Sequence, residues 1–149
     1  YLATTTKNRI SIAVIDIDNF KQYNDCHGHA AGDKVLQQVA NVFSEQFSNE
    51  KYLVARYGGE EFVVLLPGLS ESESLAIVRC CLKAVESLNL PYSVGNKRAG
   101  LVTVSVGGAT CSPSDSCDIE RFFSVADKML YLAKKEGKNR VLWSSEDTR

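Results

Sequence analysis

Residues 56–62 read Arg56-Tyr57-Gly58-Gly59-Glu60-Glu61-Phe62, and this stretch indicates both a fold and a site. Two glycines separate two strand-like runs, residues 52–57 and 61–67, which predicts a hairpin with a turn of positive φ angles. Two glutamates follow the turn at once, where the chain enters an apolar strand again. Carboxylates at that place cost free energy unless they are paired or bind a cation. The hairpin therefore indicates a site for a divalent cation and a polyphosphate.

The segments around this hairpin predict an alternation of strands and helices. An apolar, β-branched strand covers residues 9–17, and a helix follows Asp33. The stretch 19–32 between them is polar and turn-rich, with short helical segments as an option. Ser70-x-x-Glu73 is a capping box that opens a second helix. Residues 92–95 and 101–109 predict another hairpin, a last helix spans 118–136 with Gly137 as its stop, and residues 141–143 form a closing strand.

This order of elements predicts an α+β fold. We expect a palm-like or ferredoxin-like plait, with a central and mainly antiparallel sheet of about five strands, flanking helices and a small hairpin. The 149 residues fit a single domain spanning 1–149 with one core. The net charge of −1 argues against a nucleic-acid polymer as partner. No run is apolar enough to span a bilayer, and five cysteines without a Cys-x-x-Cys pattern favour a reducing, cytoplasmic location without direct membrane contact.

Asp16 is a second acidic residue at the end of an apolar strand. Strand alternation places it on the same face as Ile12 and Val14, at the end of an otherwise apolar strand. If this strand and the glycine hairpin are neighbours, Asp16 and Glu60 converge, and carboxylates with a backbone carbonyl are the hard oxygen ligands that Mg²⁺ favours. The alternative is a set of surface carboxylates paired with Arg56 or Lys21. The combination of Asp16 with the Gly-Gly-Glu-Glu hairpin favours the metal site.

Several motifs in a fixed order now give a specific resemblance. Gly58 to Phe62 resemble the signature of the GGDEF family, the diguanylate cyclases of bacterial cyclic di-GMP signalling. Further matches lie at residues 16–20 (DIDNF), 24–25, 28–29, 32–33, 36, 127–131, 133–134 and 137–139. The resemblance implies that two GTP molecules condense to cyclic di-GMP and two pyrophosphates, each 3′-hydroxyl attacking the other's α-phosphate. Catalysis would require two domains facing each other as a homodimer about a two-fold axis.

The resemblance also implies roles for individual residues. Asp16, the Ile17 carbonyl and Glu60 would bind Mg²⁺ (or Mn²⁺), and Glu61 would bind a second metal or activate the 3′-hydroxyl. The backbone N–H groups of Asn19 and Phe20 would face the phosphates, Gly58 and Gly59 would allow close approach of the nucleotide, and Lys134 and Lys138 would hold the terminal phosphates. Asn24 and Asp33 would read guanine. The alternatives are a turn role for Asn24, a helix N-cap for Asp33 and a helix C-terminus for the lysines.

The chain departs from the family pattern at three places. Lys138 stands where Arg is usual, which replaces a bidentate group by a point charge. The family's inhibitory product site, Arg-x-x-Asp, is replaced by Asn49 and Tyr52, so we expect no inhibition there. The usual opening Asp-x-Leu-Thr segment is absent, so we expect a domain that lacks its start and an upstream sensory or dimerisation module, with a membrane anchor an option for the full-length protein. The alternatives to an active cyclase are a catalytically silent GTP-binding regulatory module and a relaxed cyclase that also uses ATP.

Overall fold

The computed structural model describes residues 9–112 and 118–144, which form seven strands and four helices. In chain order these are β1 (Ile10–Ile17), α1 (Phe20–His27), α2 (His29–Gln46), β2 (Leu53–Tyr57), β3 (Glu61–Pro67), α3 (Glu71–Glu86), β4 (Pro91–Val94), β5 (Lys97–Leu101), β6 (Val104–Cys111), α4 (Ile119–Lys135) and β7 (Val141–Ser144). Across both described ranges, none of the helices combines the length and the apolarity that crossing a bilayer requires.

Five strands form the main sheet in the order β2-β3-β1-β6-β7. The central strand β1 is antiparallel to both β3 and β6, and only the β6–β7 pair is parallel. The predicted mainly antiparallel sheet of five strands is therefore confirmed. Strands β4 and β5 form a separate two-stranded sheet, which is the small hairpin of the predicted fold class.

The sheet buries apolar side chains on both faces. One core cluster contains Ala13, Ile15 and Ile17 of β1 together with the apolar stripes of α2 and α3. The opposite cluster contains Ile12 and Val14, which pack with side chains of α4. The alternation of β1 thus divides its residues between two cores, and the side of α4 is the one on which Asp16 lies, because Asp16 contacts Lys134 of that helix.

Local signals explain where the helices begin. Ser70 caps α3 with the reciprocal bonds of a capping box, in which its hydroxyl accepts from the Glu73 N–H and the Glu73 carboxylate accepts from the Ser70 N–H. Asp118 caps α4 by accepting from the Glu120 N–H. The predicted capping box is confirmed, and α4 keeps the predicted extent to within a residue at each end.

Several local predictions need correction. The stretch 19–32 contains the short helical segments that were given as an option, but these cover most of its length and not only parts of a turn-rich loop. Helices α1 and α2 meet at Gly28, whose φ of 86° lies in a region that glycine adopts readily. Asp33 consequently lies inside α2 and is not its N-cap, and Asn24 lies in α1 and not in a turn. The hairpin predicted between residues 92–95 and 101–109 is instead β4–β5, while β6 leaves it to pair with β1.

Candidate metal and nucleotide site

Three acidic side chains meet where β1 ends beside the glycine hairpin. Because β1 and β3 are antiparallel neighbours, Asp16 stands directly opposite Glu61 in the register. The Ile17 N–H donates to the Glu60 carbonyl at 3.3 Å, which ties the end of β1 to the first glutamate. Burial and then the charge of Asp16 raise the pKa of both Glu60 and Glu61. The convergence of Asp16 with the Gly-Gly-Glu-Glu hairpin, predicted on the condition that the strands are neighbours, is present.

Asp16 has one carboxylate oxygen without a protein partner. Its Oδ1 is buried and accepts no hydrogen bond, whereas its Oδ2 lies 3.1 Å from the Lys134 Nζ. Burial raises the pKa of Asp16, and Lys134 only partly opposes this. An oxygen removed from water without a donor is costly, and a cation would satisfy it. The residues therefore fit a divalent ion, although no group of three or more His, Cys, Asp or Glu side chains among residues 9–112 and 118–144 encloses one by itself.

Asp18 is a polar hub that the motif-based assignment of roles missed. It is only 3% exposed, and its carboxylate accepts from the hydroxyls of Thr103 and Ser105 at 2.8 and 2.6 Å and from the Asn139 N–H at 3.0 Å. Its Oδ1 also lies 3.6 Å from the Lys134 Nζ. Asp18 thus joins the end of β1 to Thr103 just before β6, to Ser105 within β6 and to the segment after α4. The signal in the sequence was an acid two residues beyond Asp16 on the same face of a buried strand.

The glycine turn has free space beside both glycines, and the Arg56 side chain stabilises its backbone. Gly58 has a φ of 78°, and a Cβ built on either Gly58 or Gly59 would meet no atom within 4 Å. Arg56 donates from Nε and Nη2 to the Gly59 carbonyl at 3.1 and 2.6 Å. Arg56 therefore fixes the turn through its backbone, and it is not the partner of the carboxylates that the surface alternative required.

A second polar group lies at the junction of β1 and α1. Asn19 adopts the left-handed region with φ 57° and ψ 31°, and its side-chain oxygen accepts from the Lys138 Nζ at 2.6 Å. Its amide nitrogen donates to the Tyr92 hydroxyl at 3.0 Å. Phe20 follows as the first residue of α1, with a buried side chain. The structure thus brings Lys138 to Asn19, and Lys134 to the carboxylates.

Asn24 contacts the first turns of α2. Its buried Oδ1 has no hydrogen-bond partner, and a Cβ at Gly32 would collide with it. Gly32 is buried and Asp33, the next residue, is exposed. The two residues assigned to guanine therefore flank one corner, between α1 and α2, and Asn24 offers an unsatisfied acceptor there.

Comparison with known proteins places this site in a family. A family model described as "Diguanylate cyclase, GGDEF domain" matches residues 2–140. The chain belongs to the GGDEF family. This GGDEF domain is 37% identical over 144 residues to the diguanylate cyclase DosC of Escherichia coli K12 and 41% identical over 144 residues to diguanylate cyclase A of Treponema denticola. It covers 96% and 95% of its own length in these matches, but only 30% and 37% of the length of the two relatives.

Solved structures agree with the GGDEF assignment. The GGDEF domain of DgcB from Caulobacter crescentus in complex with c-di-GMP has a TM-score of 0.80 and 35% identity, over 91% of this chain and 78% of that one. A structure described as the active GGEEF domain of a diguanylate cyclase from Vibrio cholerae has a TM-score of 0.79 and 29% identity, over 93% of this chain and 85% of that one. This GGDEF domain has the same Gly-Gly-Glu-Glu-Phe sequence at residues 58–62.

Proposed function

We propose that this GGDEF domain is a diguanylate cyclase that condenses two GTP molecules into cyclic di-GMP and two pyrophosphates. The observation that supports it best is the β1–β3 register, which sets Asp16 opposite Glu61 and beside Glu60. In that position the buried Asp16 Oδ1 has no hydrogen-bond partner, so it is open to a cation. The names of the relatives and the GGEEF sequence shared with the Vibrio cholerae domain support the same activity.

The metal would be held by Asp16, the Ile17 carbonyl and Glu60, with Glu61 near a second ion or the attacking hydroxyl. Two carboxylates and a carbonyl are a partial oxygen shell of the kind that Mg²⁺ completes with substrate phosphates and water. Bound Mg²⁺ would neutralise phosphoryl charge and lower the pKa of the 3′-hydroxyl. In the free protein the Lys134 ammonium occupies one side of this shell, 3.1 Å from Asp16, and it would be released towards the phosphates.

The remaining residues would bind and orient the nucleotide. The open faces of Gly58 and Gly59 would admit the triphosphate, and the N–H groups of Asn19 and Phe20 at the start of α1 would point to it. The unpaired Asn24 acceptor and the exposed Asp33 carboxylate would receive the N–H donors of guanine. Adenine presents an acceptor where guanine has N1–H, so these groups would reject it strongly, which argues against a relaxed cyclase.

One domain would hold one GTP, so the reaction requires a homodimer in which two sites face each other. An upstream sensory domain would control that encounter. No product inhibition is expected at the family's Arg-x-x-Asp position, because the side chain of Asn49 accepts from the Lys51 N–H and Tyr52 packs on the core. Calorimetric titration with cyclic di-GMP tests this point, and tight binding with a matching loss of turnover would contradict it.

The deciding experiment separates nucleotide products by chromatography after incubation with GTP and Mg²⁺ at high protein concentration. Glu60→Ala should reduce cyclic di-GMP formation by at least roughly a hundredfold. Glu50→Ala, a change at an exposed glutamate outside the site, is the matched control and should leave the yield unchanged. Equal product from wild type and Glu60→Ala would overturn the assignment of the site. GTP binding without release of pyrophosphate by the wild type would support the regulatory module instead.

A further inference from the structure

The small β4–β5 hairpin stands outside the main sheet and contacts α1. Its main polar link to that region is Tyr92, whose hydroxyl accepts from the Asn19 side-chain amide at 3.0 Å. A second, weaker contact joins the Cys26 thiol to the Gly95 carbonyl at 3.7 Å. The motifs that identify the family do not include this hairpin, so no role in the site was predicted for it.

The residue that Tyr92 contacts forms the turn between β1 and α1. Asn19 adopts left-handed φ and ψ angles immediately before α1, a conformation that asparagine adopts more readily than most other non-glycine residues. Both ends of its side-chain amide are used, the nitrogen by Tyr92 and the oxygen by Lys138 at 2.6 Å. Because both bonds share one planar amide, loss of the Tyr92 bond frees the amide to rotate and weakens the hold on Lys138.

The hairpin brings the Tyr92 hydroxyl to the start of α1. In the β4–β5 register Tyr92 stands opposite Gly100, where a built Cβ would meet the tyrosine ring at 3.5 Å. Tyr92 is half-buried, and its strand β4 packs against α1. The hairpin therefore presents the Tyr92 hydroxyl to Asn19 as an acceptor.

We propose that Tyr92 is a positioning residue for the phosphate end of the nucleotide site. It fixes the Asn19 amide, and through that amide it fixes both the turn whose N–H groups face the phosphates and the ammonium group of Lys138. This inference rests on the proposed function, since it assumes that a guanosine triphosphate is the ligand. The Tyr92 hydroxyl bonds to Asn19 and not to Asn24 or Asp33, so we expect its effect at the terminal phosphates.

The test compares a triphosphate with a monophosphate on the same variants. Calorimetry measures binding of 3′-deoxy-GTP with Mg²⁺, which lacks the attacking hydroxyl, and of GMP, which lacks the terminal phosphates. Tyr92→Phe removes one hydroxyl and should weaken 3′-deoxy-GTP binding by about five- to tenfold, the usual value of one hydrogen bond. GMP binding should change by less than about twofold. Tyr52→Phe, which removes a hydroxyl at a core-packing tyrosine away from the site, should change neither.

Asn19→Gly supplies the second variant, because glycine keeps the left-handed turn but has no amide for Tyr92 to hold. Adding Tyr92→Phe to Asn19→Gly should then have no further effect on affinity. A wild type that binds neither nucleotide would overturn the proposed function itself. If the wild type binds 3′-deoxy-GTP, the inference is overturned when Tyr92→Phe binds it equally well, when GMP is weakened to the same extent, or when the two changes are additive. A Tyr92→Phe protein that unfolds would assign Tyr92 to the fold and also overturn the inference.

Discussion

Replacing Asp18 by asparagine should destabilise this domain markedly, although the two side chains have nearly the same shape. The Asp18 Oδ2 accepts from the Thr103 hydroxyl and the Asn139 N–H, and the Oδ1 accepts from the Ser105 hydroxyl and faces Lys134. Asparagine has the same shape as aspartate, but an NH₂ donor group replaces one of the two acceptor oxygens. In one orientation its NH₂ group opposes the Asn139 N–H, and in the other it opposes the Lys134 ammonium.

Either orientation leaves one donor facing another donor in a buried place. An unsatisfied buried donor costs about 1–3 kcal/mol, and hydrogen bonds to a charged acceptor are worth about 1.5–3 kcal/mol, so the expected loss is roughly 2–4 kcal/mol of unfolding free energy. For a chain of this size, a loss of that magnitude lowers Tm by roughly 5–15 °C. The change in the urea midpoint and the calorimetric Tm are the two measurements.

Asp118→Asn is the matched control for this variant. Asp118 is exposed and caps α4, and asparagine is as good an N-cap as aspartate, so the control should lose less than about 1 kcal/mol. If Asp18→Asn is no less stable than this control, the assignment of Asp18 as the polar hub between β1, β6 and the end of α4 is refuted.

Three further predictions follow from single contacts. In the Arg56→Lys variant the lysine side chain cannot donate from two nitrogens to the Gly59 carbonyl, so the turn is held less well. Cyclic di-GMP formation should fall by roughly 5–30-fold, while the urea midpoint changes little. An unchanged rate would contradict the role of Arg56 in stabilising the turn. Gly107→Ala should lower the free energy of unfolding by at least about 2–3 kcal/mol, since the new Cβ would collide with the α4 backbone. Gly59→Ala places its Cβ in open space, so this variant should have an unchanged Tm but should lose product formation. Folding favours the protonated form of Asp16, because burial raises its pKa above the usual 3.8. In the absence of metal, stability should therefore fall as pH rises from that value through the raised pKa, and urea midpoints of Asp16→Asn should show a shallower fall.

The sequence predicted the elements with strong local signals. The β-branched run that became β1, the Gly58-Gly59 turn and the Ser70–Glu73 capping box each act within a few residues, so their structures could be predicted. The stretch 19–32 could not, because its polar composition is typical of turns, and its helices depend on packing of α1 against α2 and β4. The same reason explains the misplaced hairpin, since β6 is separated from β5 by its pairing with β1 and not by a local signal.

The candidate site divides in the same way. The Gly-Gly-Glu-Glu motif indicated the candidate metal site, because two carboxylates at the start of an apolar strand conflict with burial. The role of Asp18 required partners that stand 85 and more residues away in the chain, and the contact of Tyr92 with Asn19 crosses 73 residues. No periodicity or local motif reports such pairs.

The family of this GGDEF domain, the position of most of its strands and helices, and its candidate acidic and basic site residues could all be read from the amino-acid sequence. The three-dimensional fold was needed to show that β1 and β3 are neighbours, that Asp16 keeps one unpaired buried oxygen, and that Lys134 lies against two carboxylates. This is because local propensities act over a few residues, whereas strand order and the pairing of buried charges depend on burial and electrostatics between segments that are distant in the chain.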